Sequence, residues 1–193
     1  GFTELLTAAH WPTEAMVETW HSRLATIPWA IALQQYNILD SHDTVRIRTI
    51  LKENEALHRL VVAVLMTFPG VPGLYYGDEI GMVDTPGLGA RGCMVWDQSR
   101  WDRSLLDYHR ALIYFRRRSS ALQRGGFQVL LNEPETVAFQ RDSGNEHVIV
   151  IAHRSENPRL ASPMPVDHGG IPDGAQFFDL ITGEVFTVRD GAL

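Results

Sequence analysis

The chain has 193 residues, 45% of them apolar and 21% charged, the makeup of a soluble globular protein that buries a core rather than of a disordered one. Seventeen Lys and Arg against 23 Asp and Glu leave a formal charge of -6 with no dominant basic tract, so the phosphate attraction on which nucleic-acid binders depend is missing. The single cysteine, Cys93, excludes an internal disulfide and a two-cysteine metal knuckle, and the longest uncharged apolar run, residues 60–68, falls far short of the roughly 20 residues of a membrane-spanning helix.

From residue 13 to about 35, Met16, Val17, Trp20, Leu24 and Ile27 recur near three- and four-residue spacings, which predicts a helix interrupted at Pro28, with a second helical piece from Trp29. Trp11, Trp20 and Trp29 lie nine apart, close to a helical multiple, and are read as packing residues. Tyr36-Asn37-Ile38-Leu39-Asp40 has a strand's length and runs into the polar Ser41-His42-Asp43-Thr44. Over 54–68, Leu57, Leu60, Val61, Val64, Leu65 and Phe68 share one helical face, which Pro69-Gly70 ends. Gly73-Leu74-Tyr75-Tyr76 reads as a second buried strand, followed by Gly77-Asp78-Glu79 and a glycine- and proline-rich loop over 85–92. A helix over 102–123 uses Leu105, Leu106, Leu112, Ile113 and Leu122 and closes at Gly125-Gly126.

Strands that alternate with helices imply parallel βαβ units. Beyond Gly126 the pattern turns to short strands at 127–131, 136–140, 148–153, 176–180 and 185–188, separated by turn sequences such as Asp142-Ser143-Gly144-Asn145 and Thr182-Gly183. The expected organisation is therefore α/β plus all-β, with units 1–123 and 124–193 and neither an internal repeat nor a low-complexity tract.

In a βα unit the strand body is enclosed by helices, so polar side chains at its carboxyl end face the ligand crevice. The first strand ends in Asp40, His42 and Asp43; such a pairing of acid and imidazole serves a catalytic site or a plain loop hydrogen-bond network. Around the second strand, Gly70-Val71-Pro72-Gly73 and Gly77 let the backbone turn sharply and neighbouring elements come close. Asp78 and Glu79 lie on opposite faces of an extended chain, so they are read as ordering the loop rather than as an acid and base pair.

Together these clusters resemble the alpha-amylase family of retaining glycoside hydrolases. Leu39-Asp40-Ser41-His42-Asp43 is similar to that family's strand-seven motif and Gly70-x-Pro72-x-x-x-Tyr76-Gly77-x-Glu79 to its strand-eight motif, in the right order and one helix apart. The segment Asp179-Leu180-Ile181-Thr182-Gly183-Glu184 is similar to part of the family's C-terminal sandwich. Ser41, where many members have Asn, together with Cys93-Met94-Val95-Trp96-Asp97, points to the branch of cyclomaltodextrinases, neopullulanases, maltogenic amylases and maltodextrin glucosidases.

The resemblance implies a fold, the C-terminal part of a (β/α)8 TIM barrel (strands seven and eight with flanking helices) followed by an antiparallel β-sandwich domain. It implies that Asp43 is the family's third carboxylate, which grips sugar hydroxyls and favours the distorted, oxocarbenium-like transition state, and that His42 donates to the same sugar. Arg91 matches an arginine that holds sugar on the non-reducing side, whereas Gly87 stands where the branch carries an acid. Partners implied are α-linked glucooligosaccharides, the upstream part of the same barrel and a further copy of the chain; nucleic acid, membrane, cofactor and metal are not expected. Residues 1–36 supply helical material and neither the nucleophile nor the acid/base, and the chain opens on Gly1, so we expect the C-terminal portion of a longer hydrolase, inactive alone, with its last sandwich strand missing. The lone thiol and the absence of a signal-peptide pattern lead us to expect a cytoplasmic setting.

Other residues carry plain expectations. Arg116-Arg117-Arg118 reads as a solvated face complementing a helix dipole, and His10, His21, His58, His109 and His168 show no ligand spacing. Trp96 and Trp101 are read as packing ahead of sugar stacking. Two competing functions remain open: a noncatalytic amylase-like binding or assembly subunit, and a separate carbohydrate-binding module in 124–193, which lacks an evident aromatic platform.

Overall fold

The computed structural model describes residues 13–144, 146–155 and 163–193; Trp11, His10 and the expectations that fall on residues 1–12 lie outside it. Helix α1 (Thr13–Ala25) buries Met16, Val17 and Trp20 and ends before Pro28, and the short α2 (Trp29–Ala32) restarts after it. This is the interruption the sequence predicts, because a proline disfavours helical backbone in the residue before it.

Strand β1 (Tyr36–Ile38) is followed by an arch and a one-turn helix α3 (Ile47–Ile50) that the sequence pattern does not show. Helix α4 (Glu55–Thr67) starts where the Asn54 side chain accepts a hydrogen bond from the Leu57 N–H at 3.0 Å. Strand β2 (Val71–Gly73) pairs in parallel with β1, Tyr36 opposite Val71 and Ile38 opposite Gly73. The pair sits earlier than expected, because Tyr75 and Tyr76 leave the strand to lay their rings against the Arg46 guanidinium, at 4.8 and 4.9 Å. Two glycines permit the close pairing. A Cβ on Gly73 would sit 2.3 Å from the Tyr36 ring, and Gly70 adopts a φ of 119°, with Asn37 Nδ2 2.5 Å from where its Cβ would be.

After 3-10 turns at Asp78–Ile80 and Gln98–Arg100 comes helix α5 (Arg103–Arg118), capped by Asp102, and then α6 (Ser120–Arg124). The single helix expected over 102–123 is thus broken at Ser119, which leaves helical geometry and caps α6 by accepting from the Leu122 N–H at 3.1 Å.

Strands β3 (Gln128–Glu133), β4 (Thr136–Ser143) and β5 (Glu146–His153) form an antiparallel sheet with β4 in the centre, and β6 (Gln176–Phe178) and β7 (Val185–Thr187) form a hairpin. One apolar core joins the helical half to this sheet: Met16, Val17, Trp20, Val64 and Phe68 pack with Val137, Phe139 and Ala152. A second cluster, Leu39, Ile47, Leu51, Val61, Val62, Leu65 and Met66, lies beneath the end of β1 and anchors the arch.

The solvated-face expectation fails for Arg116. Its guanidinium is buried and donates to the carbonyls of Met66 (2.6 Å), Phe68 and Gly70, while Arg141 of β4 donates to Thr67 O (2.7 Å), Gly125 O (3.0 Å) and Gly126 O (2.7 Å). The carbonyls at the end of α4 have no helical partners, and these two arginines supply the donors.

Candidate functional site

The site forms at the carboxyl ends of β1 and β2. Asp40, 3% exposed, accepts the Ile47 N–H on Oδ2 at 2.6 Å, tying the end of β1 to the start of α3 and folding residues 41–46 into an arch. Within the arch the Ser41 N–H donates to Thr44 Oγ1 (2.8 Å) and the Asp43 N–H to Ser41 Oγ (3.2 Å). These local bonds turn His42 and Asp43 outward, their side chains 65% and 66% exposed.

The structure brings the three sequence-predicted residues together. His42 Nε2 lies 3.1 Å from Asp43 Oδ2, Arg91 Nη2 donates to Asp43 Oδ1 at 2.9 Å, and Arg91 Nε donates to the His42 carbonyl at 3.0 Å. Arg91 comes from the loop behind β2, far along the chain, so the cluster exists only once the two strands pair. It presents an acceptor carboxylate, an imidazole and a guanidinium on one open surface, a donor and acceptor set suited to vicinal hydroxyls. Gly87 has nothing within 4 Å of a notional Cβ, and no side chain there supplements Arg91.

Beneath this surface lies a buried network that the sequence reading did not single out. Arg46, 0% exposed, donates through Nη1 to Tyr76 O (2.8 Å) and Asp78 Oδ1 (3.1 Å) and through Nη2 to Ala90 O (3.1 Å). Its own N–H donates to Asp84 Oδ1 at 3.0 Å. The signal available was an arginine at the end of the arch, directly before the apolar Ile47. Burial, then a side-chain hydrogen bond with Asp40 and the charge of Asp40, push the Asp78 carboxyl up to about 9, only partly opposed by Arg46. Asp78 therefore takes up a proton more readily than a free carboxyl does, while its Oδ1 stays within 3.1 Å of Arg46 Nη1. Glu79 accepts the Gly77 N–H at 2.8 Å; both acids order the loop as expected, but from a 3-10 turn rather than an extended chain.

Beside Tyr76 opens a cavity of about 560 Å³ lined by Glu79, Met94, Trp96, Trp101 and Arg110 among others. Trp101 packs there and donates its indole N–H to Val95 O at 2.7 Å, in line with the packing expectation, whereas Trp96 is 77% exposed and departs from it. Among the described residues no three His, Cys, Asp or Glu side chains gather as a metal site, and no helix is long and apolar enough to cross a membrane.

Comparison with known proteins gives a consistent picture. The family described as "Alpha amylase, catalytic domain" matches residues 4–116. A cyclomaltodextrinase from Geobacillus thermopakistaniensis (strain MAS1) is 34% identical over 168 residues, 86% of this chain and 28% of that protein. Neopullulanase 2 of Thermoactinomyces vulgaris is 34% identical over 161 residues, 82% of this chain and 27% of that protein. Among solved structures, Ttha1563 from Thermus thermophilus superposes with a TM-score of 0.83 at 30% identity, covering 95% of this chain and 37% of that one. The chain thus spans well under half the length of the relatives it matches.

Proposed function

Since the chain belongs to the alpha-amylase family, we propose that it is the C-terminal portion of a retaining α-glucan hydrolase acting on maltodextrin-, cyclodextrin- or pullulan-type substrates. Residues 1–123 contribute the last two strands and helices of a (β/α)8 barrel, and residues 124–193 a β-sandwich domain. The parallel β1–β2 pair with a helix between its strands, followed by antiparallel β3–β4–β5 and the β6–β7 hairpin, supports this division.

Asp43 grips the hydroxyls of the sugar whose ring distorts, His42 donates to the same sugar, and Arg91 holds Asp43 and the neighbouring sugar. Contacts that strengthen as positive charge develops at the anomeric carbon lower the barrier without covalent chemistry. The observation that carries this function is the exposed His42–Asp43–Arg91 cluster at the strand ends. An assembly subunit would have no use for such an open hydroxyl-binding surface.

Retaining hydrolysis also requires a nucleophile and an acid/base about 5 Å apart. We place both in polypeptide outside these 193 residues, which also completes the ring. The partners are accordingly α-linked glucooligosaccharides and the remainder of the barrel. A reducing compartment suits the exposed free thiol of Cys93.

The deciding experiment is a reducing-sugar assay with maltohexaose. The 193-residue chain is expected to show no turnover, and a preparation that also holds the rest of the barrel is expected to show turnover lost in Asp43→Ala. Turnover by the chain alone that depends on Asp43 would overturn the division of labour.

A further inference from the structure

The side chains assigned to the sugar do not hold themselves in place. Arg91 and Asp43 are 65% and 66% exposed, and an exposed ion pair contributes about 0–1 kcal/mol and is screened by salt. Their alignment has to come from below. Ala90, the residue before Arg91, is 3% exposed, and its carbonyl accepts from Arg46 Nη2 at 3.1 Å. The other nitrogen of the same guanidinium binds Tyr76 O and Asp78 behind β2, while the Arg46 N–H, at the end of the arch that carries His42 and Asp43, donates to Asp84 Oδ1 at 3.0 Å. One buried planar fork therefore spans the arch behind β1, the turn behind β2 and the loop bearing Arg91.

We propose that Arg46 is a positioning residue that sets Arg91 against Asp43 and His42. Its consequence for glucan binding rests on the function proposed above; the positioning itself does not. A lysine retains the charge and the two tyrosine rings, but a single ammonium cannot reach Ala90 O on one side and Tyr76 O with Asp78 on the other in the way a two-ended fork does.

The test uses the full 193-residue chain and its Arg46→Lys variant, with nitrogen-15 NMR of the Arg91 Nε–H that donates to the His42 carbonyl. In the variant that proton is expected to exchange at least about tenfold faster, as a bond lost to solvent would, while circular dichroism and a cooperative melt report a retained fold. Unchanged protection in a folded variant overturns the proposal. Should Arg46→Lys not fold, the parent chain decides: protection that holds within about twofold between 0.05 and 0.5 M NaCl supports positioning from below, and protection lost with salt marks a free surface pair and overturns it. Calorimetry with maltohexaose separates the two claims. Faster Arg91 exchange in the variant, alongside no glucan binding by the parent chain, sustains the positioning and counts against the glucan function only.

Discussion

At the scale of single residues, the chemistry of the site is divided between an exposed layer and a buried one. Burial and the neighbouring Asp40 raise the Asp78 carboxyl above its unfolded value of 3.8, so the fold binds the extra proton, and its contribution, full below about pH 4, is lost as pH rises through the raised value. Asp78→Asn keeps an acceptor for Arg46 while removing the titratable group. Relative to this variant, the parent protein should lose stability as pH rises above about 4 in urea denaturation, and the variant should lack that component. In the exposed layer, Asp43→Ala and Arg91→Ala should each change stability by less than about 1 kcal/mol, because the pair is open to solvent. Trp96→Ala should likewise leave the midpoint within about 0.5 kcal/mol, the mark of an indole that does not pack. His42, Asp43 and Arg91 were legible in the sequence because their types and spacing match a motif. Asp40, Arg46 and Asp78 as a network were not, because their partners are backbone carbonyls and carboxyls distant in the chain.

At the scale of elements, helix α4 shows how much a local pattern leaves open. Its apolar face and Asn54 cap follow from the sequence, but its last carbonyls are satisfied by Arg116 and Arg141, from α5 and β4. Arg116→Met should cost about 3 kcal/mol or more in chemical denaturation, since it strips donors from buried carbonyls. Between α4 and α5 the rings of His58 and His109 meet at 6.0 Å, and both ring nitrogens of His58 lack a hydrogen-bond partner. Burial, then the charges of His109 and Arg48, lower His58 to about 3. The unfolded chain therefore binds the extra proton, and stability present above about pH 6.5 declines as pH falls toward 3. His58→Leu should reduce that acid-side slope, read from urea midpoints at pH 4.5 and 7, and leave the part due to His109, which burial lowers in the same direction. The pattern missed α3 and ran α5 into α6 for one reason: short helices and breaks are set by side-chain acceptors such as Asp40 and Ser119, and hydrophobic periodicity carries no record of them.

At the scale of the whole molecule, the two units inferred from the change of periodicity share a core. Trp20 of α1 lies 4.9 Å from Phe68 and 6.0 Å from Phe139, so one indole touches helix and sheet alike. Trp20→Ala should cost about 3–5 kcal/mol and lower one common transition rather than one of two, followed by far-UV and near-UV circular dichroism in parallel. The sequence by itself determined the alternation of strands and helices, the switch to antiparallel strands after Gly126 and the polar turn of His42 and Asp43 at a strand end, because hydrophobic period, turn residues and motif spacing are local properties. Tertiary structure alone decided that Arg91 meets Asp43, that Arg46 lies beneath both and that the Asp78 carboxyl is pushed up. Contacts between residues tens of positions apart, and the low dielectric that shifts a buried carboxyl, come into being only when β1 and β2 pair and exclude water.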